Sequence, residues 1–403
     1  MSLPWGTDSA SSAGETCFNN KYALILFRAS PFVNDPGKSS FIYYNTTKYT
    51  QFRKGTRPVI VKKAVLSYNE ERNYCCRVAA KGRIPMLVLA DIREAQQRIA
   101  PFIIRTPLLR QPALDPIFGC EVYLKHEGLQ ITGSFKLRGA TNKIVTLTEE
   151  QLKNGVVAAS SGNHAMGVAY AARQQGAKAV IVMPTNANPV KIAGVRELGG
   201  TVLLEGTLSS EREAKVRSLV EEEGMAEVHP FGDPLVAAGQ GTIGLEIMAD
   251  LADVDTIIVP IGGGGLISGV ATAVKGIRPD VHLIGVEPVG APRYTLSRAA
   301  KKPVKLDAVH TIADGTRTDC ANPSNFVMIE NLVDRLITVE DNWIEEGMKL
   351  AAAKAKLIVE PSSVMGLAAA LSRKVTFKEG KKVCFVLSGG NNDLAQLVRI
   401  LVK

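Results

Sequence analysis

From Met86 onwards, the chain alternates between short apolar runs and longer stretches with helical periodicity. This alternation indicates an α/β protein with a mostly parallel sheet, because each strand needs a crossover helix before the next one. The first series predicts a compact unit of three strands and three helices. Its strands are predicted at 156–159, 179–183 and 201–204, and its helices at 165–175, 190–198 and 209–223.

A second series continues the pattern towards the C-terminus. It predicts strands at 256–260, 282–287 and 383–387, and helices at 241–251, 266–275, 343–357 and 362–371. The fold class is therefore α/β, with two interleaved, open twisted-sheet domains. We expect a large domain from 86–154 and 236–403, and a small domain from 155–235. Ligands of such sheets bind outside the carboxyl ends of the strands.

The first 85 residues differ in composition from the rest of the chain. They carry 13 Lys and Arg against 5 Asp and Glu, whereas the remaining residues carry 35 against 34. The basic excess therefore belongs to this extension, and the body lacks the charge expected of a nucleic-acid-binding protein. No periodicity assigns 1–85 a structure. A basic targeting leader and a start misread upstream of Met86 are both open interpretations, and a nucleic-acid arm at 53–63 is the weakest.

Cysteine usage and apolar segments bear on the location of the protein. The six cysteines are scattered and too few for a disulfide framework, which favours a reducing, cytoplasmic setting. The longest uncharged stretch, 256–274, contains Pro260 and four consecutive glycines. It predicts a strand, a loop and a helix, so we expect no membrane span.

Three glycine-containing loops each follow a predicted apolar strand, at 160–164, 262–265 and 388–391. Glycine lets the backbone approach a ligand closely, and the N–H groups that open the next helix attract anions. Any one loop alone could be an ordinary tight turn, but three in one chain favour a binding site. None fits the nucleotide motifs Gly-Lys-Ser/Thr or Gly-x-Gly-x-x-Gly, which disfavours a nucleotide site and an NAD-dependent dehydrogenase.

The octet Gly133-Ser134-Phe135-Lys136-Leu137-Arg138-Gly139-Ala140 makes the pattern more specific. Together with the three loops, with Ala238-Gly239-Gln240-Gly241-Thr242 and with Ala313-Asp314-Gly315, it resembles the fold-type II pyridoxal-phosphate enzymes. The most similar subgroup is that of the threonine and serine dehydratases with serine racemase. The resemblance covers about 86–403 in the expected order. It implies a fold like that of the tryptophan synthase β subunit and pyridoxal 5'-phosphate as cofactor, bound in the large domain.

The resemblance also implies roles for individual residues. Lys136 would form the internal Schiff base and then act as the general base at the substrate α-carbon, and an amine of lowered pKa suits both tasks. Ser388 would face the pyridine nitrogen; a neutral partner there suits β-elimination, because the leaving group quickly relieves the carbanion. The remaining cofactor contacts implied are Phe135 beside the ring, Asn163 at the 3-hydroxyl, Glu360 near the ring, and Gly262, Gly263, Gly264 and Gly265 around the phosphate.

The first glycine loop matches the segment that binds the substrate carboxylate through backbone N–H groups. Its residues are Ser160, Ser161, Gly162, Asn163 and His164. Ser161 stands where dehydratases often have alanine and where serine racemase has a serine that reprotonates the opposite face. A secondary racemase activity is therefore our hypothesis, and the alternative is that Ser161 only contacts the carboxylate or the cofactor. We expect His164 to order the loop rather than to act as a base.

The cation site of the serine-racemase-like enzymes matches only in part. Glu287 and the carbonyl of Ala291 stand at two ligand positions, but Arg293 occupies the position of the expected aspartate. A guanidinium cannot ligate a metal. We therefore expect Arg293 to pair with Glu287 in place of a cation, and no metal to be bound.

The expected activity is a pyridoxal-phosphate-dependent ammonia-lyase. It would convert L-threonine, L-serine or both into a 2-oxo acid and ammonia by α,β-elimination. The alternatives within the fold are a dehydratase for hydroxyaspartate, phenylserine or a hydroxyectoine-derived amino acid, and a serine racemase; a β-replacement synthase fits the motifs less well. The alternative from another class is a non-catalytic binder of cofactor or amino acid, with 1–85 as an interaction arm.

The resemblance also sets expectations for assembly and regulation. Homologues of this kind are usually homodimers or homotetramers. Only 12 residues follow Asn391, so we expect a short catabolic form without a regulatory domain and without feedback inhibition by isoleucine. The expected partner is a small-molecule amino-acid substrate, with no nucleic acid and no membrane.

Overall fold

The computed structural model of the chain describes residues 87–402, so every expectation for 1–85 lies outside the described part. Strands and helices are numbered here in chain order. The strands are β1 Leu108–Arg110, β2 Glu121–His126, β3 Val156–Ala159, β4 Ala179–Met183, β5 Thr201–Leu204, β6 Ala226–Glu227, β7 Thr256–Pro260, β8 His282–Pro288, β9 Arg335–Val339 and β10 Lys382–Leu387. The helices are α1 Leu89–Ile99, α2 Asp115–Phe118, α3 Lys136–Ile144, α4 Glu149–Asn154, α5 Asn163–Gln174, α6 Pro189–Glu197, α7 Ser209–Glu223, α8 Pro234–Asp250, α9 Gly265–Ile277, α10 Arg293–Ala300, α11 Pro323–Leu332, α12 Asp341–Leu350, α13 Met365–Leu371 and α14 Leu394–Leu401.

The described strands form two sheets. The larger has the order β1-β2-β10-β7-β8-β9, in which only β1 runs antiparallel to its neighbour. The smaller has the order β5-β4-β3-β6 and is wholly parallel. Its strands lie in the chain between β2 and β7, so the two sheets are interleaved in sequence. This confirms the predicted α/β fold class.

The central strands of both sheets are buried on two faces, which explains their continuous apolar sequences. In β4 all five residues are buried, and in β10 all but the first are buried. Helices cover both faces of a parallel sheet, so its strands lose the polar alternation of a half-exposed strand. All six predicted strands are confirmed to within one residue at either end.

Two helix predictions needed correction. The helix predicted at 241–251 is the second half of α8, which begins seven residues earlier at Pro234. Every residue from Val236 to Met248 is buried, so the helix has no polar face that periodicity could detect. The helix predicted at 343–357 was too long: α12 ends at Leu350, a turn of π-helix spans Ala351–Ala355, and Lys356 adopts a positive φ of 61° that ends the helix.

The described chain has no helix that is both long and apolar enough to cross a membrane. The apolar stretch 256–274 instead forms β7, the glycine loop and most of α9, as the sequence predicts.

A buried cluster of four charged side chains joins α3 to the larger sheet and to α8. The Arg138 guanidinium donates from Nε to Glu127 at 2.8 Å and from Nη1 to Glu246 on α8 at 2.6 Å. Lys125 of β2 also donates to Glu246 and to the carbonyl of Thr106. All four side chains are buried, and their formal charges cancel. The first turn of α3 is therefore held to β2, to the turn after it and to α8.

We predict that Arg138→Met lowers the free energy of unfolding by about 3–5 kcal/mol, because it leaves the buried carboxylates of Glu127 and Glu246 with one cation between them. Denaturant unfolding of the full chain measures the change. The control is Lys349→Met, which removes an exposed pair with Glu346 at 2.9 Å and should cost at most about 1 kcal/mol. Equal losses in the two variants would contradict the structural role assigned to the buried cluster.

Candidate active site

A single cleft of about 2380 Å³ brings the predicted site residues together. It lies where β3, β7 and β10 end, as expected for parallel strands whose carboxyl ends carry the ligand loops. The predicted residues that line it are Phe135, Lys136, Ser160, Ser161, Gly162, Asn163, His164, Gly262, Gly263, Gly264, Gly265, Glu360 and Ser388.

Lys136 is the first residue of α3, and its half-buried amine faces the cleft. Its Nζ donates to the carbonyl of Pro230 at 2.7 Å. The residue before it is fixed by β10, because the Phe135 N–H donates to the Ser388 carbonyl at 3.1 Å. Burial lowers the pKa of Lys136 to about 8. The amine is therefore largely nucleophilic at mildly alkaline pH.

Two histidines lie near this amine and are uncharged. Burial, and then the Lys136 charge, lower the pKa of His164 to about 3, and its Nε2 donates to the Val228 carbonyl at 2.7 Å. Burial lowers the pKa of His229 to about 4. The His229 Nδ1 accepts from the N–H groups of Phe231 and Gly232, at 3.3 and 2.8 Å. Both histidines thus hold backbone beside Lys136, and they add no positive charge next to its amine at neutral pH.

The tetraglycine loop leads directly into α9. Gly264 has a φ of +90°, where a side chain would be strained, and α9 begins at Gly265. A Cβ on Gly263 would lie 2.1 Å from Cγ of Phe231, so this position admits no side chain. The Gly263 carbonyl accepts from Tyr294 Oη and from Asn325 Nδ2, both at 2.8 Å. These bonds engage the Gly263 carbonyl. The first N–H groups of α9, which have no acceptor within the helix, provide an anion-binding terminus.

Asn163, Glu360 and Asn391 form a hydrogen-bonded chain across the cleft. Asn163 Nδ2 donates to both carboxylate oxygens of Glu360 at 2.9 Å, and Asn391 Nδ2 donates to Asn163 Oδ1 at 2.8 Å. The Asn391 N–H donates to Glu360 Oε1 at 2.8 Å. Burial raises the pKa of Glu360 to about 7, against the opposing effect of the Asn163 hydrogen bonds.

The other predicted loop residues lie at the start of α5 and the end of β10. Ser160 Oγ accepts from the Gly162 N–H at 3.4 Å, and α5 begins at Asn163. The Ser161 side chain is exposed in the cleft. Ser388 is buried, with its Oγ 3.2 Å from Ser363 Oγ. Among the residues that the structure describes, no charged side chain forms a hydrogen bond with Ser388.

Glu287 and Arg293 are both buried, but they form only a long ion pair. The Arg293 Nε lies 4.0 Å from Glu287 Oε1, whereas Glu287 accepts from the N–H groups of Tyr294 and Thr295 at 2.9 and 2.8 Å. The Arg293 Nη1 instead donates to the Thr316 carbonyl at 2.8 Å. The guanidinium thus lies between Glu287 and a neighbouring loop. Within 87–402 no group of three or more His, Cys, Asp or Glu could hold a metal ion; the absence of a metal stays a prediction.

Three features of the cleft were missed by sequence reasoning. Asn391 belonged to a quoted motif but received no role, and Phe231 was not singled out although it packs on Gly263. An ion pair of 2.6 Å also joins Lys191 of α6 to Asp314, across the predicted domain boundary. The motif Ser-Gly-Gly-Asn was a usable signal for Asn391. Only the fold could show the other contacts, because they join residues distant in sequence.

Comparisons with known proteins agree with this geometry. Residues 99–389 match the family described as "Pyridoxal-phosphate dependent enzyme". The chain is 44% identical over 318 residues to an L-threonine ammonia-lyase from Thermotoga maritima, covering 79% of this chain and 79% of that protein. It is 42% identical to a serine racemase from Oryza sativa, covering 78% and 93%. The solved structure of maize serine racemase superposes with a TM-score of 0.75 at 41% identity, covering 78% and 97%. The chain therefore belongs to the family of pyridoxal-phosphate-dependent enzymes.

The residues of the cleft fit this cofactor. A half-buried lysine of lowered pKa would take its aldehyde, and the glycine loop at the start of α9 would hold its phosphate. Asn163 would face the ring hydroxyl and Ser388 the ring nitrogen. Among the residues assigned to cofactor contact only Lys136 and Glu360 carry an ionisable side chain, as expected of a site that holds a dianionic phosphate by backbone dipoles.

We predict that cofactor uptake by the cofactor-free protein accelerates with pH up to about 8 and then levels off, because only the neutral Lys136 amine attacks an aldehyde. The lowered pKa places more neutral amine at neutral pH, and the rate should fall as pH drops below that value. Stopped-flow absorbance of the bound cofactor measures the rate. The reference is a lysine peptide with a blocked α-amine, whose rate should rise up to about pH 10.4. A midpoint near the peptide value would contradict the effect of burial.

Proposed function

We propose that this pyridoxal-phosphate-dependent enzyme is an ammonia-lyase that converts L-threonine, L-serine or both into a 2-oxo acid and ammonia. The observation that carries the proposal is the meeting, in one cleft, of the Lys136 amine, the glycine loop at α9 and the Ser160–His164 loop at α5. One group would act on the α-proton, one would hold the cofactor, and one would hold the substrate carboxylate. The relatives named as threonine ammonia-lyase and serine racemase act on substrates of this size and charge.

The cofactor and the residues of the cleft have separate roles in the proposed reaction. Bound pyridoxal phosphate supplies an aldehyde and an electron-withdrawing ring that acidifies the α-hydrogen of an attached amino acid. When its amine is no longer bonded to the cofactor, Lys136 Nζ removes that proton. Its lowered pKa leaves part of the amine neutral near neutral pH and so able to accept a proton. The N–H groups at the start of α5 orient the carboxylate, while neutral His164 and His229 hold backbone beside the lysine. Loss of the β-hydroxyl gives an enamine that hydrolyses in water.

The uncharged surroundings of Ser388 support elimination. Its Oγ lies 3.2 Å from the hydroxyl of Ser363, so the ring nitrogen would face hydroxyl groups rather than a carboxylate. A hydroxyl does not hold a proton on that nitrogen, and the ring is then a weaker electron sink. Prompt departure of a β-hydroxyl suits such a ring, because it removes the carbanion charge without long storage.

Further expectations remain proposals. We assign 86–154 and 236–403 to a large cofactor-binding domain and 155–235 to a small substrate domain, which is supported by the sheet to which each strand belongs. We also propose a homodimer or homotetramer in the cytoplasm, and no bound metal. The dehydratases for hydroxyaspartate, phenylserine or a hydroxyectoine-derived amino acid stay as alternatives, because the pocket for the substrate side chain separates them.

We predict that the full chain, loaded with pyridoxal phosphate, releases 2-oxo acid from L-threonine or L-serine in a panel of L- and D-hydroxy amino acids. Lys136→Ala should lower the rate by about 10³-fold or more, because no other described group replaces its proton transfer. The control is Lys143→Ala on the same helix, whose amine binds Asp233 at 2.7 Å and should keep most of the activity. A coupled assay for 2-oxo acids measures the rate. Cofactor binding with no release from any substrate would refute the lyase, and equal rates in the two variants would refute the role of Lys136.

A secondary racemase activity is supported by one observation, the exposure of the Ser161 hydroxyl in the cleft. We predict that Ser161→Ala abolishes the formation of D-serine from L-serine while most of the 2-oxo acid release persists, because only racemisation needs a proton donor on the opposite face. Chiral chromatography measures both products. The control is Ser210→Ala, a second hydroxyl in the cleft lining. Racemisation that survives Ser161→Ala would assign Ser161 to carboxylate or cofactor contact instead.

A further inference from the structure

The chain of hydrogen bonds across the cleft begins at an atom that can only accept. Asn391 Nδ2 lies 2.9 Å from the carbonyl oxygen of Thr132. A carbonyl has no hydrogen to donate, so the atom of Asn391 that faces it must be the amide nitrogen. The carboxamide of Asn391 therefore has one allowed direction.

This direction is passed on to Asn163. The same Asn391 nitrogen lies 2.8 Å from the Asn163 side chain, so the Asn163 atom that meets it must be Oδ1. The Asn163 Nδ2 then faces the opposite way and donates to both oxygens of Glu360 at 2.9 Å. In the ionised form of Glu360 both carboxylate oxygens accept, so the chain of donors and acceptors is consistent from Thr132 to Glu360.

The surroundings are shaped to hold Asn391 in this place. A Cβ on Gly133 would lie 2.2 Å from Asn391 Oδ1, so the glycine that opens the Lys136 octet admits the amide. Gly133 also has a φ of +72°, which disfavours any other residue. The Asn391 N–H donates to Glu360 Oε1 at 2.8 Å, so Asn391 contacts both other members of the chain.

We propose that Asn391 is a positioning residue, which together with Glu360 orients the Asn163 carboxamide so that its nitrogen, and not its oxygen, is the atom offered to the bound cofactor. The oxygen of Asn163 is already taken by Asn391. An N–H partner stabilises an ionised ring oxygen, whereas a carbonyl partner would require a protonated ring hydroxyl. The direction of one amide thus selects the protonation state of the cofactor ring. This inference depends on the family cofactor and on its contact with Asn163, and not on which amino acid is the substrate.

The test compares Asn391→Asp and Glu360→Gln with the double variant, in the full chain loaded with pyridoxal phosphate. The aspartate introduced by Asn391→Asp can only accept, so Asn163 must reverse and turn its oxygen towards Glu360, where it meets another acceptor. The glutamine introduced by Glu360→Gln turns a donor towards the Asn163 nitrogen when its own oxygen accepts from the N–H of residue 391. In the double variant these three side chains are consistent again, but their hydrogen bonds run in the opposite direction. The control is Asn392→Asp, which adds the same charge one residue away, at an amide that donates to the Gly390 carbonyl at 3.1 Å.

Two readouts separate direction from stability. Absorbance between acidic and alkaline pH gives the fraction of bound cofactor with an ionised ring oxygen, and thermal unfolding gives the stability of the loaded protein. We expect each single variant to lower the ionised fraction at neutral pH at least about twofold and to weaken cofactor binding by roughly tenfold, the factor expected for one hydrogen bond. We expect the double variant to regain part of the unfolding midpoint lost in Asn391→Asp while its ionised fraction stays low, and to remain below Glu360→Gln because its residue-391 carboxylate still faces the Thr132 carbonyl.

Two results would overturn the proposal. One is an unchanged ionised fraction in both single variants, equal to that of Asn392→Asp; the other is a double variant that recovers the ionised fraction together with stability. If Asn391→Asp does not fold, Asn391→Ala still decides, because it removes the donor to Asn163 Oδ1 without placing an acceptor against the Thr132 carbonyl. The measurements use no substrate. Loss of 2-oxo acid release with a normal ionised fraction would therefore count against the proposed reaction and not against this inference.

Discussion

The helix that begins with Lys136 depends on a buried cluster of charges. Arg138, two residues after the lysine, donates to Glu127 and to Glu246, while Lys125 compensates the second negative charge. Removing four charges from water is costly, so such a cluster is favourable only in an arrangement in which every charge meets a partner. That requirement fixes the first turn of α3 relative to β2 and α8. The amine of Lys136 is consequently directed into the cleft by an anchored helix and not by a loop.

The residues assigned to cofactor contact carry few charges. Burial keeps the amine of Lys136 partly neutral near pH 8 and keeps His164 and His229 uncharged. The glycine loop before α9 and the loop before α5 offer backbone N–H groups, which attract a phosphate or a carboxylate without side-chain cations. Fixed cations beside Lys136 would lower the pKa of its amine further, because they repel the protonated form. These N–H groups open the helices that follow β3 and β7, one strand from each parallel sheet, so the architecture and the electrostatics of the site have the same origin.

Sequence reasoning predicted what local patterns carry and failed where contacts between distant residues decide. The strands were found because a buried parallel strand is a short, continuous apolar run, and β3, β4, β5 and β7 have the predicted bounds. The first half of α8 was missed because it is apolar all round, although Asp233 before Pro234 is a helix-start signal that could have revealed it. The glycine loops were recognised because each follows a predicted apolar strand. The partners of Asn163 were not, because Thr132, Glu360 and Asn391 meet only in the folded chain.

The hydroxyl groups at one edge of the proposed ring site and the amide at the other have complementary effects. Ser388 and Ser363 would leave the ring nitrogen without an acidic partner, which would weaken the ring as an electron acceptor. An N–H of Asn163 would stabilise negative charge on the ring oxygen, on the side where Glu360 anchors the amide. A ring that stores little charge favours a reaction in which the substrate itself disposes of the electrons. Expulsion of a β-hydroxyl does so, whereas a reaction that must preserve the carbanion gains nothing from this distribution of protons. The uncharged partners of Ser388 therefore agree with the proposed elimination.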